Sequence, residues 1–109
     1  MKPIVACILI TSASLLAAAD NHASGQAIYA NSCRFCHGAE GQGNAGLFKA
    51  LGRPLVDLRS AQVQNLSDVR IEEHIKNSDP EKKMPRFDTL DARQMADLVG
   101  FLRSLKPKS

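Results

Sequence analysis

The chain has 109 residues, a formal net charge of only +3 and no tryptophan. Its length fits one small domain with a modest core. The weak charge, with no run of Lys or Arg and no interleaved aromatic residues, argues against a nucleic-acid-binding surface, and we expect no nucleic-acid partner.

The N-terminal segment has the pattern of a secretory signal peptide. Lys2 gives a positive start, residues 4–16 are almost wholly apolar, and Ala17-Ala18-Ala19 resembles a small-residue cleavage site. An uncleaved anchor is the alternative, although the apolar stretch is shorter than the roughly 20 residues that a spanning helix needs. We therefore predict that residues 1–19 are removed near Ala19 on export to the periplasm, and that residues 20–109 form a mature domain that does not span the membrane.

A first helix and a distinctive motif follow. Ser24 is expected to cap a helix over residues 25–33, after which Cys33, Cys36 and His37 form a C-x-x-C-H run. This run is typical of c-type haem attachment, in which two thiols form thioethers with the vinyl groups and the imidazole binds the iron. The spacing is about one helical turn, which places both sulfurs on one side of the chain.

Three other uses of this motif are considered. A local disulfide suits an oxidising compartment, and a thioredoxin-like redox pair needs a βαβ context that the surrounding sequence lacks. A zinc site needs four ligands, and adjacent Cys36 and His37 fit one tetrahedron poorly. The motif therefore favours haem c, and the lack of an internal repeat predicts one haem per chain.

The rest of the chain predicts helices separated by long loops. Five glycines in residues 38–54 predict a loop, and Ser67 begins a helix that ends near Asn77. Residues 78–88, which contain two prolines, predict another loop. The clearest helix is the last, with Asp91 and Gln94 as a capping box. Its apolar residues recur at helical spacing and predict the core: Met95, Leu98, Val99, Phe101, Leu102 and Leu105.

A second iron ligand is expected in the loop before the last helix. Met84 precedes Pro85, which favours an extended backbone at Met84, and a thioether is a soft ligand that raises the reduction potential. One alternative is that Met84 is a surface or gap-filling side chain. Another is a bis-histidine site that uses His74 as the second ligand. Met95 is expected in the core, and His22 lies near the predicted new N-terminus.

Taken in order, the C-x-x-C-H run, the glycine-rich loop, Met84-Pro85 and the last helix resemble a class I c-type cytochrome of the small bacterial monohaem kind. The resemblance implies an all-α fold of three to four helices and long loops around one covalently bound haem. It also implies that the first and last helices cross closely, through Gly25 and Tyr29 on one and Leu98 and Phe101 on the other.

Two features depart from that family. Many members have a loop proline whose carbonyl accepts a hydrogen bond from the axial histidine, and here the matching position is Gly46. Some relatives place a tryptophan near a haem propionate. Because this chain has none, Tyr29, Arg53 and Arg59 are the candidates for such a contact.

The resemblance implies an electron carrier without catalytic residues, acting with redox partner proteins as a monomer or a small subunit. Four basic residues, Lys76, Lys82, Lys83 and Arg86, form a possible positive collar that would steer docking to an acidic partner. The alternatives are an electron-accepting subunit of an exported dehydrogenase and, if Met84 is a labile ligand, a peroxidase-like or gas-sensing haem protein.

Overall fold

The computed structural model describes residues 3–5, 21–52, 56–78 and 84–105. The predicted signal peptide and its cleavage site therefore lie almost wholly outside the described residues, as do Arg53, Lys82 and Lys83. The described residues form six helices and no strand, which confirms the all-α class. The helices are α1 (His22–Ser32), α2 (Arg34–His37), α3 (Ala45–Leu51), α4 (Ala61–Gln64), α5 (Asp68–Asn77) and α6 (Ala92–Ser104). Within those ranges, no helix has the length and apolarity required to cross a membrane.

The first and last helices, α1 and α6, cross closely, as expected. A Cβ atom on Gly25 would lie 2.1 Å from the carbonyl oxygen of Asp97 and 2.9 Å from Cβ of Phe101, so only glycine permits this approach. One turn later, the ring of Tyr29 packs against Phe101 with centroids 5.0 Å apart. Tyr29 and Leu98 are almost completely buried. The helix crossing that the resemblance implied, with its four residues, is therefore confirmed.

Helix α6 is the centre of the core. It begins with the predicted capping box, in which Asp91 Oδ1 accepts from the Gln94 amide at 2.7 Å and Gln94 Oε1 accepts from the Asp91 amide at 2.9 Å. All six predicted apolar residues of this segment are buried: Met95, Leu98, Val99, Phe101, Leu102 and Leu105. Met95 is a core side chain, as expected.

Helix α5 packs against α6. Ser67 caps it by accepting a hydrogen bond from the Arg70 amide at 3.2 Å, and Ile71 and Ile75 are buried. His74 is exposed, although it was expected to share their face. The predicted limits of this helix are confirmed, since it has Ser67 as its N-cap and ends at Asn77.

A guanidinium group ties the start of α5 to α6. Arg103 donates hydrogen bonds to the carbonyl oxygens of Gln64 and Leu66, at 2.7 and 2.5 Å. It also donates to Oδ1 of Asp68 from two nitrogens, at 3.0 and 2.8 Å. The planar fork of arginine suits such a set of acceptors.

Three local expectations were wrong or incomplete. Helix α1 begins at His22, so Ser24 lies inside it and is not its cap. The His22 ring packs on Phe101, with centroids 5.3 Å apart, which supports the extra turn. The predicted loop contains α3, which the side chain of Asn44 caps and a left-handed Gly52 ends. The single turn of α4, capped by Ser60, was not predicted.

Candidate haem site

The C-x-x-C-H motif forms α2, a single helical turn that follows α1 and has Cys33 at its start. The Cys33 amide donates to the carbonyl of Tyr29 at 2.8 Å, and the Cys33 carbonyl accepts from the His37 amide at 2.9 Å. Both cysteines are half-buried free thiols, and Cys33 packs against the core. Burial raises the pKa of the Cys33 thiol to about 11, and nearby Cys36 adds to the shift. The unreacted group is therefore a protonated thiol at neutral pH.

His37 has the properties of a neutral metal ligand. Burial lowers the pKa of its imidazole, so the ring is uncharged at neutral pH and keeps a lone pair for a metal ion. Its Nδ1 atom is buried and has no hydrogen-bond partner among the described residues. Two thiols beside a neutral imidazole fit the donor set that haem c requires.

The expected hydrogen bond from His37 to the Gly46 carbonyl is not made. Gly46 lies within the first turn of α3, so it belongs to a helix and not to an open loop. The loop between the motif and α3 instead bonds to the His37 backbone: the Gly43 amide donates to the His37 carbonyl at 2.6 Å. Hydrogen bonds therefore fix the backbone of His37, whereas its ring Nδ1 has no such bond among the described residues.

The side chain of Tyr29 contacts the backbone directly after the motif, a contact that the sequence did not predict. Its hydroxyl donates a hydrogen bond to the carbonyl of Gly38 at 2.5 Å, one residue after His37. Burial raises the pKa of Tyr29 to about 12, so this donor stays protonated at ordinary pH. Gly38 has a φ of 85°, which favours glycine at this turn. The hydroxyl thus links the crossing of α1 and α6 to the backbone beside His37.

Two of the three candidates for a propionate contact, Tyr29 and Arg59, lie in the described residues, and both have partners within the chain. The Tyr29 hydroxyl is bonded to Gly38. Arg59 forms an ion pair with Asp57 at 2.9 Å and lies 4.0 Å from Glu40. The hydrogen bond from Arg59 lowers the pKa of Asp57. Arg59 therefore already has carboxylate partners within this chain.

Met84 lies on a different part of the chain, in a segment without regular structure that leads to α6. It is half-buried, and three residues later the Phe87 amide donates to the carbonyl of Ile75 at 3.1 Å. The structure brings Cys33, Cys36 and His37 together in one turn, whereas ligation by Met84 stays a prediction. No group of three or more His, Cys, Asp or Glu side chains suited to a metal ion occurs in the described part of the chain.

The comparisons with known proteins agree with this fold and motif, which are those of class I c-type cytochromes. The chain belongs to the family described as cytochrome C oxidase, cbb3-type, subunit III, whose model matches residues 20–102. It is similar to a solved structure, the KustC0563 c-type cytochrome, with 32% sequence identity and a TM-score of 0.64. That similarity covers 76% of this chain and 98% of the other. No match was found among the curated proteins. Membership of a c-type cytochrome family implies covalently bound haem c and electron transfer.

Proposed function

We propose that the mature chain is a periplasmic electron carrier that transfers one electron at a time through a single haem. Cys33 and Cys36 attach this haem, and His37 and Met84 ligate its iron. The observation that carries the proposal is the helical turn of the motif, in which two free thiols stand beside a neutral, half-buried imidazole. The family match supports the same chemistry.

The residues of the chain bind and orient the cofactor. Cys33 and Cys36 would hold the haem, each by addition of its S–H bond across one vinyl group, which would prevent loss of the haem outside the cell. His37 and Met84 would both bind the iron and so leave no position on it for oxygen or peroxide. The haem supplies the Fe(II)/Fe(III) couple, and the soft thioether favours the ferrous state. No side chain is required as acid, base or nucleophile.

The state of the sixth coordination position tests this function. A carrier with both axial positions filled exchanges one electron per haem in a redox titration, and its ferrous spectrum does not change under carbon monoxide. Rapid binding of carbon monoxide would instead support the peroxidase-like or gas-sensing alternative, in which Met84 is absent or labile.

Export is the second part of the proposal. The family match begins at residue 20, the first residue after the predicted cleavage site at Ala19. We expect mass spectrometry of the periplasmic fraction to find a mature N-terminus at or near Asp20. An intact N-terminus in the membrane fraction would support the uncleaved anchor.

Positive residues near Met84 support docking to an acidic redox partner. Lys76 is exposed at the end of α5, and the side chain of Arg86 is 65% exposed with only a loose pairing to Asp88 at 3.8 Å. Long-range attraction of this kind weakens with ionic strength. We expect the electron-transfer rate with an acidic partner to fall as salt is added.

A second candidate is a cytochrome subunit of a larger redox complex, such as an exported dehydrogenase. It is favoured by the family description, which names a subunit of an oxidase. The native mass in mild-detergent extracts distinguishes the two. A free carrier elutes near the mass of the monomer, and a subunit elutes with its complex.

A further inference from the structure

The segment that carries Met84 is attached to the end of α5 by one backbone hydrogen bond. The Phe87 amide donates to the carbonyl of Ile75 at 3.1 Å. Ile75 lies in the last turn of α5, where carbonyl groups lack a partner within the helix. The bond therefore satisfies the carbonyl of the buried Ile75 and places Phe87 beside the end of α5.

The side chain of Phe87 adds a second attachment. It is half-buried and packs against the core formed by α1, α5 and α6. Arg86, between Pro85 and Phe87, is exposed. Since Pro85 has a restricted φ, only a short, partly rigid stretch separates this anchor from Met84. Met84 itself is half-buried and lies three residues before Phe87, so the anchor limits how far Met84 can lie from the end of α5.

The frame that holds Phe87 also holds the haem-attachment motif. The Arg103 guanidinium fastens the start of α5 to α6 through Leu66 and Asp68. Helix α6 in turn crosses α1, which ends at the first attachment cysteine, Cys33. Helices α5, α6 and α1 thus set the position of the Met84 segment relative to the motif.

We propose that Phe87 is a positioning residue for the sixth ligand, which keeps the Met84 sulfur in place for the iron. The proposal rests on the proposed function, in which Met84 ligates the haem. Removal of the anchor increases the fraction of molecules in which Met84 has dissociated. The affinity of an external ligand for ferric iron rises with that fraction, because it binds only the open form.

The test uses the haem-loaded protein and a titration of the ferric form with imidazole. We expect Phe87→Ala to bind imidazole about tenfold more tightly than wild type, and Phe87→Leu, which keeps an apolar side chain, about threefold more tightly. Leu66→Ala is the matched control, because the Leu66 side chain is also half-buried against the core but lies between α4 and α5. Alanine keeps the backbone carbonyl of residue 66 that accepts from Arg103. We expect it to change the imidazole affinity by less than about twofold.

Each result has a defined meaning. An unchanged affinity in Phe87→Ala, or an equal rise in Phe87→Ala and Leu66→Ala, overturns the proposal, because the effect is then absent or only structural. If Phe87→Ala does not accumulate as holoprotein, an unchanged affinity in Phe87→Leu overturns it. Met84→Ala tests the underlying function separately. Loss of the weak far-red band of iron–methionine ligation in this variant supports Met84 as the ligand, and persistence of the band contradicts it whatever Phe87 does.

Discussion

The hydroxyl of Tyr29, buried at the crossing of α1 and α6, donates a hydrogen bond to the carbonyl of Gly38, the residue that follows His37. Tyr29→Phe keeps the ring contact with Phe101 and removes only this donor. We expect it to lower the free energy of unfolding by about 1 kcal/mol. Denaturant unfolding of the haem-loaded protein measures the change. Tyr29→Ala, which also loses the ring, should cost about 3–5 kcal/mol. Equal stability of wild type and Tyr29→Phe would show that the bond contributes nothing.

The same hydroxyl makes stability depend on alkaline pH. Burial raises the pKa of Tyr29 in the folded protein from 10.0 to about 12. Between these values the folded state holds a proton that the unfolded state releases. The stabilisation is therefore fully present below pH 10 and is lost as the pH rises towards 12. We expect unfolding free energy to fall more steeply over this range in wild type than in Tyr29→Phe. Parallel curves would contradict the burial of a protonated hydroxyl.

The helix crossing depends on the lack of a side chain at Gly25. In Gly25→Ala the new Cβ would overlap the Asp97 carbonyl, which is backbone and cannot rotate away. We expect this substitution to destabilise the protein by about 3 kcal/mol, because α1 and α6 must separate. Gly100 is the matched control, since it lies on α6 and a Cβ there meets nothing within 4 Å. Gly100→Ala should stabilise the protein by about 0.5–1 kcal/mol, and a similar effect of the two changes would argue against close crossing.

Arg103 contributes through the geometry of its guanidinium group. Lysine keeps the charge but cannot reach the carbonyls of Gln64 and Leu66 and the Asp68 carboxylate together. We expect Arg103→Lys to lower the free energy of unfolding by about 2 kcal/mol. Arg93, on the exposed face of the same helix, provides the control: Arg93→Lys should stay within about 0.5 kcal/mol of wild type. Thermal and denaturant unfolding of both variants measure the difference, and equal stability would assign Arg103 no structural role.

The parts of the fold that the sequence predicted are those in which local and tertiary signals coincide. Helix α6 has a capping box at its start and an apolar stripe along one face, and packing buries that same stripe. Helix α5 is similar, with Ser67 at its start and Ile71 and Ile75 facing inwards. The crossing of the first and last helices was expected only from the resemblance to class I c-type cytochromes, which placed Gly25 and Tyr29 against the last helix.

Helix α3 was missed because all five glycines of this segment were interpreted as loop residues. Gly41 and Gly43 do have positive φ values and form the loop, whereas Gly46 lies on the surface of a helix. The cap residue Asn44 and the terminal Gly52 are the signals that bound this helix.

The contacts beside His37 and Met84 could not be predicted in the same way. The bonds from Tyr29 to Gly38 and from Phe87 to Ile75 join residues nine or more positions apart. They form only when the helices have packed, and no local spacing encodes them.

The most direct test of the account is the mass and spectrum of the exported chain after denaturation. We predict that the polypeptide, lacking residues 1–19, keeps one haem through Cys33 and Cys36, and that Cys33→Ala and Cys36→Ala each lose the two-bond linkage. Haem that separates completely from the denatured wild-type chain would contradict covalent attachment at this motif.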